Sequence, residues 1–89
     1  MAEKHIVIGD ESDDGLLEAV RNVIKDMGAK EISSERVVVG SQDIQILRVL
    51  LQDQVIVVEA ETYIGITVAG EQELVDEIVQ RVRRANRVH

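Results

Sequence analysis

Apolar positions along the chain follow two different periods, and the switches between them divide it into elements. In "KHIVIGD", Ile6, Val7 and Ile8 give β-branched density to a short first strand. From position 12 the spacing changes. Leu16, Leu17, Val20, Val23, Ile24 and Met27 recur at steps of three and four, with Glu18, Arg21, Asn22 and Lys25 between them. That is the stripe of an amphipathic helix, and Gly28 is a natural residue to end it in the left-handed conformation.

"EISSERVVVG" predicts a second strand centred on Val37, Val38 and Val39 and closed by Gly40. The segment 42–52 reads two ways. As a helix it has Ser41 as an N-cap and apolar residues at 44, 47 and 51. As a strand it sends Ile44 and Ile46 to one side and Leu47, Val49 and Leu51 to the other. The strand is preferred, because the short "QDQ" turn then lets it pair with its neighbours.

The cleanest pattern comes next. Ile56, Val58, Ala60, Thr62, Ile64, Ile66 and Val68 occupy every second position, as on one face of a long strand or of a hairpin turning near Glu59 to Glu61. The opposite face reads Val55, Val57, Glu59, Glu61, Tyr63, Gly65 and Thr67. A second amphipathic helix closes the chain, with Leu74, Val75, Ile78, Val79 and Val82 as its stripe. Glu71, Glu73, Asp76 and Glu77 fill its first turns and arginines its last, so both ends complement the helix dipole.

The order β-α-β-β-β-α predicts an α+β fold in one domain over residues 1–89. An antiparallel sheet of three to five strands, with two amphipathic helices on one face, satisfies it. The expected type is ferredoxin-like or a related split β-α-β sandwich.

Composition narrows what such a domain can do. The 89 residues are 45% hydrophobic, almost all of it aliphatic, which is ample for a packed core and unlike a disordered chain. A domain this small still buries only about 60–65% of its unfolded surface, so its stability margin is thin. The absence of cysteine excludes disulfides, thiol nucleophiles and zinc–thiolate sites. Net charge −7 and a pI near 4.7 argue against nucleic acid, whose affinity comes from Lys and Arg on phosphates. RNA binding through the C-terminal arginines would also lack the usual stacking aromatics. The longest apolar run, "VIVV", falls far short of the ~20 residues that span a bilayer. "MAEKHIVIGDE" has no apolar leader core, so a cytoplasmic location is the default expectation and no membrane partner is expected.

"GDESDDG" packs four carboxylates into seven residues and is the most site-like stretch. Asp10, Ser12, Asp14 and Gly15 fall on the first, third, fifth and sixth places of a calcium-loop template, and Glu18 on the ninth. The template fails at its last place, where a bidentate Glu is required and Arg21 stands, and a strand precedes it where a helix belongs. The reading that survives is a helix N-terminus capped by Asp10 or Ser12, with Asp13 and Asp14 in the first turn. The alternative is a weak Ca²⁺ or Mg²⁺ site using Asp10, Ser12, Asp13, Asp14 and Glu18; no other cofactor is expected.

Enzyme readings fare worse. Ser12 would need a histidine in reach, and only His5 and His89 exist, in a strand and at the C-terminus. No glycine-rich phosphate loop is present. Glu59 and Glu61 share a strand face about 6–7 Å apart, a spacing compatible with acid/base work. One aromatic residue offers no sugar-stacking cleft, so these carboxylates are expected to be solvated or at an interface.

The second face of the sheet is the stronger clue. Two helices cover one face only, yet Val55, Val57, Tyr63 and, by register, Leu47, Val49 and Leu51 are expected to point the other way. An exposed patch of that kind marks an interface. The arginine tail, Arg81 and Arg84 included, would meet the acidic loop of a second subunit or another acidic protein. The expected function is therefore non-enzymatic binding, as a homodimer through the uncovered sheet face or with another protein. The alternatives are the weak cation-binding protein, and a small enzyme or enzyme subunit whose site the sequence does not reveal.

Overall fold

A computed structural model describes residues 2–10 and 13–86. The elements are β1 (Glu3–Gly9), α1 (Asp14–Asp26), β2 (Lys30–Val39), β3 (Gln42–Leu51), β4 (Gln54–Glu61), β5 (Gly65–Glu71) and α2 (Gln72–Asn86). The five strands form one sheet in the order β1-β5-β4-β3-β2, with every neighbouring pair antiparallel. The α+β class is as the pattern predicts, and 42–52 is strand followed by turn rather than helix.

Two expectations about connectivity need correction. Four strands lie between the helices, not three, so the order is β-α-β-β-β-β-α. The alternating run after residue 54 is a hairpin whose turn falls at residues 62–64, beyond Glu59 to Glu61. Nor is the sheet ferredoxin-like or a split β-α-β unit. Such units leave one strand's width between their parallel pair, whereas β1 and β2 here stand at opposite edges with three strands between them. The short turns hold β2, β3, β4 and β5 as a continuous meander, which leaves β1 an outer edge, and it takes the one beside β5.

Both helices contribute to one core. Leu16, Val20, Val23 and Ile24 of α1 and Leu74, Val75, Ile78, Val79 and Val82 of α2 are buried against the sheet. The sheet meets them with Ile56, Val58 and Ala60 of β4 and Ile66 and Val68 of β5. Leu47, Val49 and Leu51 belong to this layer too, so the expectation that they face away from the helices is overturned. The pairings Leu47↔Val58 and Val49↔Ile56 put them on the same side as the β4 core residues.

The helix ends are well defined. Asp13 is the N-cap of α1, and its carboxylate accepts a hydrogen bond from the Leu16 N–H at 3.0 Å. At the other end Gly28 takes φ +94°, and its N–H donates to the Lys25 carbonyl while Ala29 N–H donates to that of Ile24. This is a Schellman closure, as the glycine predicts. The Glu71 carboxylate accepts from the N–H groups of Glu73 and Leu74 and so caps α2.

Candidate interface on the open sheet face

Strand pairing fixes which side chains share the face opposite the helices. One row across the sheet runs His5, Ala69, Val57, Arg48, Ser33. The next runs Val7, Thr67, Glu59, Ile46, Glu35. A third holds Gly65, Glu61, Ile44 and Val37, and on the other flank Val55, Leu50 and Lys30 align. Apolar side chains therefore lie on all five strands of a surface that no described element covers.

Exposure bears this out. Val7, Val55, Leu50 and Val37 are 53%, 49%, 39% and 39% exposed, while Ile44, Ile46 and Val57 are half-buried by their neighbours. Solitary exposed aliphatics are ordinary, but aligned ones of this kind form a patch. Thr67, at its centre, is buried.

The charges on this face are partly neutralised within it. Arg48 reaches across to β2, where its guanidinium donates to Glu35 at 2.9 Å and meets the Ser33 hydroxyl at 3.5 Å. On its other side Arg48 pairs with Val57 of β4. Glu61 accepts from the Gln42 amide at 2.5 Å. Glu59 makes no hydrogen bond or ion pair with any described residue. Glu59 and Glu61 share the face as the strand period requires, but the surface around them is an open sheet, not a cleft.

The end of the sheet is tied by side chains. Arg36 on β2 donates from Nε to Asp43 at 3.0 Å and from a terminal nitrogen at 2.5 Å, a bidentate pair. Those hydrogen bonds, opposed by partial desolvation and aided by the Arg36 charge, hold the Asp43 carboxyl below its usual range. The same pair raises the Arg36 guanidinium above its ordinary value. Thr62 carries the sheet past the end of β4: its N–H donates to the Asp43 carbonyl, and Asp43 N–H donates to its hydroxyl. Tyr63, 78% exposed in the turn with φ +73°, donates from its hydroxyl to Ser41 at 3.4 Å.

Of the expected interface residues, Val55 and Val57 come together on the open face. Tyr63 stands at the hairpin tip, and Arg81 and Arg84 lie on α2, in the opposite layer. Arg81 is held by Glu77 at 3.0 Å, so it is not an unbalanced charge. Val7, Val37, Ile44, Ile46 and Leu50 complete the patch and were not assigned to it from the sequence. Their signal is parity with Val57 once the register is known.

In the acidic loop, the cap is Asp13 rather than Asp10 or Ser12. Ser12 lies outside the described residues, as do Arg87 and His89. The Asp10 carbonyl accepts from Asp13 N–H, closing the turn into the helix. Asp14 and Glu18 sit exposed on α1. Among the described residues, no three His, Asp or Glu side chains are grouped as metal ligands would be. No helix among them is long and apolar enough to cross a membrane. Compared with protein families, curated proteins and solved structures, the chain matches none.

Proposed function

We propose that this chain acts by binding, without chemistry of its own, as a homodimer joined through the open sheet face. One observation carries the reading: Val7, Val37, Leu50 and Val55 are exposed on one side of the sheet, around the half-buried Ile44, Ile46 and Val57. A second copy is the simplest cover, because a two-fold axis brings the same patch against itself. It would also extend the core of a domain whose small size limits its own burial. The Arg48–Glu35 pair would sit inside such an interface already neutralised, which limits the cost of removing it from water.

The test is the molar mass in solution, by light scattering or sedimentation, with Val55→Lys as the paired variant. Val55 is half exposed in the monomer, so its replacement should change monomer stability by less than about 0.5 kcal/mol. The wild-type chain should run as a dimer and the variant as a folded monomer. A variant that still dimerises would move the interface elsewhere.

A further inference from the structure

The helix side of the sheet is incompletely roofed. Core residues of both helices pack over β3, β4 and β5, but nearly all of β2 is exposed, with Ser33 alone half-buried. Between α1 and the β2–β3 edge two cavities of about 220 and 200 Å³ open side by side, sharing Arg21 and Leu47 in their walls. The floor of the larger is apolar: Leu17, Leu47, Val58 and Ala60. This groove lies on the opposite side of the sheet from the proposed dimer interface.

We infer that this groove binds a small carboxylate with an apolar body, its carboxylate held by Arg21. The rim chemistry selects that class. Of the other charged residues in its wall, Arg36 is paired with Asp43, and the Glu35 carboxylate is turned to the open face, where Arg48 holds it. Arg21 is left over, with no ion pair to any described residue. Ser34 and Gln45, which line the same cavity, likewise make no side-chain hydrogen bond with a described residue. Their neighbours in sequence and type are used: Ser33 meets Arg48, and Gln42 donates to Glu61.

One guanidinium that makes no ion pair with a described residue, beside two open polar side chains and over an aliphatic floor, matches a monoanion, with Asp14 and Glu18 standing on the outer side of Arg21. A carboxylate would take two parallel hydrogen bonds from Arg21 and a further one from Ser34 or Gln45. A phosphate ester would bring more charge than one arginine balances. The adjoining cavity has Lys25 and Glu31 together on its rim and adds no surplus charge. The volume is below the ~300–1,000 Å³ of sites for drug-sized ligands, so the apolar body is a short chain or one ring.

Octanoate is a suitable probe, with octylammonium as its charge-reversed counterpart, each titrated while amide resonances are followed. Octanoate should saturably shift the amides of Leu17, Arg21, Ser34, Gln45 and Leu47, and octylammonium should not. Arg21 is exposed on α1, so Arg21→Gln should fold normally. That variant should bind octanoate about tenfold more weakly, the worth of a charge-assisted hydrogen bond. The inference is overturned if both probes bind alike, if Arg21→Gln binds as well as the wild type, or if octanoate gives no saturable shift at millimolar concentration. Shifts confined to Ile44, Val55 and Val57 would also overturn it, by placing the probe on the open face. None of these outcomes depends on whether the chain dimerises.

Discussion

At Gly65 the backbone takes φ +114°, and a Cβ there would run into the Gly9 carbonyl and approach Val7 Cγ1 at 3.2 Å. The strand β1 is irregular at this place, its register shifting between Val7 and Gly9, so the two strands meet closely only because residue 65 has no side chain. Gly65→Ala should therefore cost about 1–3 kcal/mol, read as a lower urea midpoint. Asp43 offers a second test of single-residue chemistry. Its carboxyl is held low by Arg36, so the stabilisation from the pair is present above the ordinary aspartate range and is lost as pH falls through the lowered folded value. Following the Asp43 carboxyl by NMR should give a midpoint below the ordinary aspartate range, and Arg36→Gln should return it to that range. An unchanged midpoint in the variant would mean the pair does not persist in solution.

Among the elements, the β3–β4 turn works against its own sequence. Gln52 and Asp53 take φ +50° and +62°, a left-handed pair that Gly, Asn and Asp adopt readily but Gln only at a cost. Replacing them by the preferred pair, Gln52→Asn with Asp53→Gly, should raise stability by about 1–2 kcal/mol, roughly 5 °C or more in thermal midpoint. A lower midpoint would show that these side chains make compensating contacts. Turns are also where the sequence was hardest to read. The turn at residues 62–64 contains Thr, Tyr and Ile, all strand formers, and Gly65 is its main signal. Because Ala60 pairs with Ile66, the even positions stay on one face through the turn, and the apolar alternation runs on unbroken across it. The helices were legible because each has one clean stripe. The side β3 presents to the core was not, since it is aliphatic on both faces and only pairing with β4 decides between them. The same limit applies to the sites: Val55 and Val57 could be marked as outward, but Val7 and Leu50 join them only through register. The groove at Arg21 depends on where α1 stops short of β2, which no local pattern encodes.

For the molecule as a whole, the decisive feature is a sheet with helices on one side and aliphatic rows on the other. The helix side supplies the core and, where the roof ends, the groove. The bare side accounts for the self-association proposed for the chain. That self-association is tested most directly by the molar mass of the wild-type chain and of Val55→Lys, measured at tens of micromolar. The expected masses are about twice 9.9 kDa for the wild type and 9.9 kDa for the folded variant. A wild-type chain that stays at 9.9 kDa across the concentration range would contradict a dimer built on the open face.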